Sequence, residues 1–428
     1  MDQAAALAEL EARKETRIVP DLSRILALAT FLDDPQLSYP TIHVSGTNGK
    51  GTVARVASAV ACGHGLTTGL YTSPHLASVT ERLSVCGVDM TPGEFAEEYS
   101  HLQPFLEVVD ARSEERVTYF EALTALAYLW FADRPVALGV FEVGMGGTWD
   151  ATNLVEGDVA VITPIGLDHP ELGSTLSQVA GEKAGIVKQG KTTVVREQDD
   201  EALEVIDRRC RDVDATMLLE YRDWEVVERL HAVGGQAFSL RGSHGSYDEL
   251  FLPLFGEHAV HNAAAAVVAC EVLIGSALDG DPLREALAGV RWPGRLEIAG
   301  RAPTIVLDGA HNPAAAEALA DALREFFTWE RLHLVLGVSA NKDVAGIAAH
   351  LAPLADATYA ARNESERSGD VEPIVDAFGA QGNPVTTHGT VAQALEAART
   401  DAGPDDLICV TGSLYTVADA RRGLGLTT

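Results

Sequence analysis

From Thr41 to the C-terminus, short apolar runs alternate with longer Ala- and Leu-rich stretches whose apolar residues recur at helical spacing. Short runs rich in β-branched residues read as buried strands, and the longer periodic stretches as helices. In the first part of the chain the pattern predicts strands over Thr41–Ser45, Leu138–Val143, Asp158–Thr163 and Thr192–Arg196. It predicts helices after Thr52, across Tyr119–Phe131 and across Leu176–Lys183. Such alternation builds parallel sheets covered by helices. Over Met217–Pro253 the runs shorten and turn residues multiply, which predicts an antiparallel β excursion before a helix from Asn262 to Leu273. A second series starts near Pro303, with strands at Thr304–Leu307, Leu332–Gly337, Ala357–Ala361 and Leu407–Thr411 and a helix over Ala314–Phe327. The segment Arg291–Arg301, with Pro293, Gly294 and Gly300, separates the two series, so the predicted division is 1–295 and 296–428. Met1–Pro35 reads as helical and carries no assigned role.

Composition narrows the class. With 428 residues, 46% of them hydrophobic and 22% charged, the chain is globular and long enough for more than one domain. The 62 acidic residues outweigh the 32 basic ones, giving a net charge of −30. That argues against a nucleic acid or an anionic membrane as partner, since either needs a cationic footprint. Cys62, Cys86, Cys210, Cys270 and Cys409 are scattered, without Cys-x-x-Cys spacing. They predict neither a disulfide framework nor a zinc site, but small buried residues in a reducing compartment. The N-terminus lacks the apolar stretch of a signal peptide, and no uncharged apolar run approaches the roughly 20 residues that span a bilayer. A cytoplasmic protein is the expectation.

The strongest local signal is His43-Val44-Ser45-Gly46-Thr47-Asn48-Gly49-Lys50-Gly51-Thr52, between a strand and a helix. Glycines let backbone N–H groups turn inward around phosphate oxygens, and the helix N-terminus adds partial positive charge. Lys50 supplies a point charge for β/γ-phosphates and Thr52 a hydroxyl for Mg²⁺. The loop departs from the common P-loop pattern, with Val44 in place of the first glycine and Gly51 between Lys50 and Thr52. A glycine-rich turn with an incidental lysine is the structural alternative for this segment alone, and the phosphate loop is the favoured reading.

Acidic and histidine residues follow other strands. Glu142 ends an apolar run before Gly144, Gly146 and Gly147, where a carboxylate suits Mg²⁺. Asp168-His169 follows the next strand, His169 being either a metal ligand or a loop histidine. Lys183 lies in the following helix and is an odd neighbour for a metal unless it is carbamylated. Arg295, on the Pro293-Gly294 segment, could reach a γ-phosphate, and Asp308 with His311 would face the same cleft. Asn312-Pro313 also reads as an ordinary helix start.

Together these segments resemble the folylpolyglutamate synthase/dihydrofolate synthase family of the Mur ligase superfamily, over about Tyr39 to Gly423. The resemblance is carried by His43–Thr52, Leu70–Leu76, Glu142–Gly147, Asp150–Asn153, Thr163–His169 and Glu182–Lys188. It continues through Gly256-x-His258-x-x-x-Asn262, Trp292–Glu297, Asp308–Pro313 and Gly412–Tyr415. It implies an α/β protein, with a P-loop ATPase domain of mostly parallel sheet and a Rossmann-like C-terminal domain. It implies that Gly46–Thr52 hold ATP phosphates and that Asn262 touches adenine. Arg295 would meet the γ-phosphate, and Asp308 and His311 the nucleotide. Thr52, Ser73 and Glu142 would ligate one Mg²⁺, while His169 and carbamylated Lys183 would serve a second Mg²⁺ or the substrate carboxylate. Ser73-Pro74 would begin a loop near the pterin, and Ser413 would lie on the glutamate side. Thr148-Trp149 stands where the family often has Arg, and the loop Pro170–Gly173 is shorter than usual.

The implied reaction is ATP-dependent ligation of L-glutamate to dihydropteroate, a reduced folate or both, by a monomer. A ligase acting on a non-folate carboxylate, and a P-loop NTPase switch without ligase activity, are the alternatives.

Overall fold

The computed structural model describes residues 1–14 and 19–426; part of the predicted N-terminal helical stretch, residues 15–18, lies outside them. The chain divides into two compact units. The first comprises Met1–Leu230, Ala237–Leu252 and His261–Val290; the second comprises His231–Gln236, Pro253–Val260 and Arg291–Thr428.

The first unit is built on an eight-stranded sheet. Its strands are β1 (Thr41–Ser45), β2 (Thr68–Tyr71), β3 (Leu83–Val85), β4 (Val88–Asp89), β5 (Leu138–Glu142), β6 (Val159–Ile162), β7 (Thr192–Val195) and β8 (Thr216–Leu219). They run in the order β4-β3-β2-β5-β1-β6-β7-β8. The six from β2 to β8 in that order are parallel, and β3 and β4 add an antiparallel edge. β1 and β5 are buried at every position, the mark of strands covered on both faces. The helix Tyr119–Asp133 packs its large residues against one face, where Phe131, Tyr128 and Tyr39 surround Phe141. Val179, Ala180, Ile186 and Ile206 fill the other face.

The predicted β excursion proves to be two structures. β8 extends the parallel sheet beside β7, while β9 (Glu225–Ala232), β10 (Gly235–Arg241) and β11 (Ser246–Leu252) form a separate three-stranded sheet. β2 lies outside the predicted strands, because Thr68-Gly69-Leu70-Tyr71 holds a glycine and only two apolar residues and so does not stand out from its surroundings.

The cysteine expectation is corrected. Cys62 and Cys86 form a disulfide, their Cα atoms 5.7 Å apart. Cys62 closes the helix Lys50–Gly63, and Cys86 lies in the turn between β3 and β4. Chain topology brings the two together, which scattered spacing cannot reveal, so the cysteines no longer support a reducing compartment. Cys210, Cys270 and Cys409 are buried and free, as expected.

The second unit carries a six-stranded sheet of β12 (Glu297–Gly300), β13 (Thr304–Leu307), β14 (Leu332–Leu336), β15 (Ala357–Ala361), β16 (Val385–His388) and β17 (Leu407–Thr411). The order is β12-β13-β17-β14-β15-β16, with β12 antiparallel and the rest parallel. Its core holds Leu319, Leu323, Leu334, Ile347 and Phe378. Among the described residues, no helix is long and apolar enough to cross a membrane.

Candidate active site

In the first sheet the chain leaves β1 on one side to form β2, and later places β6 on the other side of β1. Such a change of direction opens a crevice beyond the carboxyl ends of the strands. The glycine-rich loop follows β1 there. Gly46 (φ 144°) and Gly49 (φ 89°) adopt conformations that favour glycine. A Cβ on Gly46 would fall 1.8 Å from Thr163 Oγ1, and one on Gly49 would fall 2.4 Å from Asn262 Nδ2. The loop is pinned from β6: Thr47 N donates to Pro164 O (3.0 Å), and Thr47 Oγ1 bonds to both Gly166 O and Gly166 N (2.9 Å each). Gly49 caps the helix Lys50–Gly63 without a side-chain hydrogen bond, as suits a terminus that offers N–H groups to an anion. Gly51 and Thr52 are buried in its first turn, and Asn48 is partly exposed.

Two lysines converge on one carbonyl. Lys50 Nζ donates to Gly46 O (3.0 Å) and Thr47 O (3.2 Å), and Lys183 Nζ donates to the same Gly46 O (2.8 Å). Lys183 is 3% exposed. Burial, and then the charge of Lys50, push its pKa down to about 7, with Asp168 and Asp150 opposing.

Neighbouring strand ends supply acceptors. β2 lies against β5, so Ser73 falls beside Glu142, and Ser73 N donates to Glu142 Oε2 (2.9 Å). Glu142 is buried. Ser73 is joined to the exposed Pro74 by a cis peptide bond. Arg82 Nε closes this loop by donating to His75 Nδ1 (2.9 Å). Asp168 and His169 pair at 3.4 Å after β6, with the Asp168 side chain buried and that of His169 35% exposed. Thr148, in the departure from the family pattern, donates through its N–H to Glu182 O (2.9 Å). Beneath the loop, His43 Nε2 contacts Thr152 Oγ1 (2.8 Å), and burial followed by Lys188 lowers the His43 pKa to about 3.

The second unit gathers its own motif residues. Asp308, after β13, accepts from Leu296 N (2.9 Å) and Ala310 N (2.8 Å). Burial raises its pKa, and Arg295 is the largest opposing influence. Arg295 runs beside Gly309, where a Cβ would lie 2.9 Å from its Nη1. His311 Nδ1 lies 2.9 Å from Gly309 O. Asn312 caps the helix Pro313–Phe326 by accepting from Ala315 N (2.9 Å). Ser413, after β17, is buried and caps Leu414–Gly423, and Asn363 Nδ2 donates to its hydroxyl (3.2 Å).

The unpredicted residues stand around Asn262, in the helix Glu257–Ile274. Arg196, after β7, donates to Asn262 Oδ1 (2.7 Å) and to Glu220 Oε2 (2.7 Å), and Glu220 Oε1 lies 2.5 Å from His261 Nδ1. Burial pushes the Glu220 carboxyl up, but His261 and Arg196 outweigh it and hold it below its ordinary range. The readable signal was the one used for Glu142, a charged residue directly after an apolar run.

Residues 44–270 match the Mur ligase middle domain, and residues 294–414 the Mur ligase glutamate ligase domain. The dihydrofolate synthase/folylpolyglutamate synthase of Mycobacterium tuberculosis is 40% identical over 96% of this chain and 91% of its own. The chain belongs to the dihydrofolate synthase/folylpolyglutamate synthase family of Mur ligases. Solved members of the family share the fold from end to end. Mycobacterium tuberculosis folylpolyglutamate synthase complexed with ADP superposes with a TM-score of 0.95 at 40% identity, over the whole of both chains. A folylpolyglutamate synthase complexed with AMPPCP and folate does so at 0.89 and 32% identity, over 99% of this chain and 100% of the other. Like its family, the protein is an ADP-forming ATP-dependent carboxylate–amine ligase, and its α/β architecture with a mostly parallel first sheet is the family's.

Proposed function

We infer that this family member joins L-glutamate to the carboxylate of dihydropteroate and of reduced folates, through an acyl phosphate, acting as a monomer in the cytoplasm. The observation that carries the reading is the assembly of Lys50, Lys183, Ser73 and Glu142 at adjoining strand ends around one glycine loop. The bifunctional name of the Mycobacterium tuberculosis relative supports both carboxylate substrates.

The substrate carboxylate attacks the γ-phosphorus of ATP, the bond to the β-phosphate oxygen breaks, and ADP leaves. The glutamate amine then attacks the acyl carbon, phosphate departs, and the amine loses its proton to solvent. Backbone N–H groups of Gly46–Thr52 orient the phosphates, and the Lys50 ammonium offsets charge on the transferring group. Asn262 is assigned to the adenine, Arg295 to the γ-phosphate, and Asp308 and His311 to the nucleotide. Catalysis of this type is mainly positioning.

Thr52, Ser73 and Glu142 would offer two hydroxyls and a buried carboxylate, hard-oxygen donors whose chemistry fits Mg²⁺. When bound, the ion supplies positive charge to phosphate oxygens. His169 and Lys183 would hold a second ion. Lys183 fits that role as a carbamate, since an amine titrating near 7 is partly neutral and can add to CO₂ with loss of a proton. Ser73-Pro74 and Ser413 are assigned to the pterin and glutamate sides.

The test is phosphate release against dihydropteroate, tetrahydrofolate and unrelated carboxylates, each with and without glutamate. ADP formation that requires both a pterin carboxylate and glutamate is expected. Hydrolysis independent of glutamate would overturn the reading in favour of a nucleotide switch.

A further inference from the structure

Asn262 presents a carboxamide whose orientation is dictated from behind. A guanidinium carries donors only, so the group that Arg196 Nη1 meets at 2.7 Å must be the amide oxygen. The amide nitrogen is then turned to the phosphate loop, where it lies so close to Gly49 that a Cβ there would approach it to 2.4 Å. Arg196 is fixed in turn by Glu220, whose side chain is fully buried and which also accepts from Glu197 N (2.8 Å). The second Glu220 oxygen is taken by His261, the residue before Asn262 on the same helix. The side chains of Arg196 and His261 are 9% and 8% exposed. Each member is thus held by another, and the guanidinium fork permits one amide orientation.

We propose that Arg196, Glu220 and His261 are positioning residues that lock the Asn262 carboxamide with its N–H₂ group facing the nucleotide, and that this fixed donor sets nucleotide affinity. The inference rests on the nucleotide assignment of the loop made above. A flipped amide would set donor against donor at Arg196, losing a charge-assisted bond. The ligand group that Asn262 meets must therefore be an acceptor, such as a ring nitrogen of a purine.

The test measures ADP binding by calorimetry and steady-state kinetics with ATP varied. Asn262→Asp keeps an oxygen for Arg196, replaces the donor by a second acceptor oxygen and adds a negative charge beside the loop; it is expected to weaken ADP binding by about tenfold or more. Arg196→Met leaves Glu220 buried without its cation and can unfold the protein. Arg196→Met/Glu220→Gln removes both charges, and is expected to raise the KM for ATP by about tenfold while kcat and the KM for glutamate change by less than about twofold. Arg196→Lys with Glu220 intact should recover part of the loss. Wild-type ADP affinity in Asn262→Asp, or a double variant in which every KM and the unfolding midpoint shift together, would overturn the proposal. A wild-type protein that binds ADP but forms no amide would sink the ligase reading and leave this inference standing.

Discussion

The two units finish their parallel strands on different terms. At the ends of β1, β5 and β6 the first unit concentrates charge: two lysines share one carbonyl, and a buried carboxylate stands beside them at a backbone N–H. At the ends of β13 and β17 the second unit closes its turns, with Asp308 taking two backbone N–H groups and Asn312 and Ser413 capping helices. The difference separates two uses of polar side chains. A cap satisfies groups the fold itself leaves open. Two lysines crowded on one carbonyl, one of them a desolvated amine, repel each other in the free chain, and they become favourable when an anion arrives.

The comparison can be broken most sharply at Lys50. Lys50→Ala should lower ADP formation by about a thousandfold while thermal stability stays unchanged; turnover within tenfold of wild type would refute the loop assignment. Next in size, Glu142→Ala should raise the Mg²⁺ concentration for half-maximal rate by about tenfold or more, and an identical Mg²⁺ titration would count against its place among the ligands. In the second unit, Ser413→Ala should cost about 1 kcal/mol of stability in denaturant titration. A raised KM for glutamate beside that loss would bear out the assignment of Ser413 to the glutamate side, and the same KM at unaltered stability would remove its role as a cap and dissolve the contrast between the units.

The remaining effect appears only as the pH falls, and concerns His43. Its folded pKa of about 3 lies below the unfolded value, so between the two the unfolded chain binds more protons. The contribution is fully present above about pH 6.5, is eroded as the pH falls, and levels off below about 3. His43→Gln should therefore show a shallower acid loss of stability than wild type between these limits, and parallel pH profiles would contradict the assignment.

Continuous apolar runs made most of the doubly buried strands legible. Thr41–Ser45, Thr304–Leu307, Ala357–Ala361 and Leu407–Thr411 fall where the apolar runs placed them. β2 escaped because Gly69 interrupts its run and leaves only Leu70 and Tyr71 as apolar signal, although it sits between β3 and β5 and delivers Ser73 to Glu142. The loop around Lys50 was readable because its glycines, lysine and helix are contiguous. The meeting of Lys183 with Gly46, 137 positions apart, was not, nor was the convergence of Arg196, Glu220 and His261 on Asn262. Those depend on which strands become neighbours, and local pattern does not encode sheet order. Cys62 and Cys86 were misread for the same reason.

That disulfide changes the topology of the chain as well as its bonding. It turns the segment between the end of the phosphate-loop helix and the β3–β4 turn into a closed covalent ring, with a sequence separation of 24. Within the ring lie β2 and the whole Ser73–Arg82 loop. A peptide bond cleaved anywhere inside that loop would leave the protein a single molecule, its two fragments released from one another only after reduction.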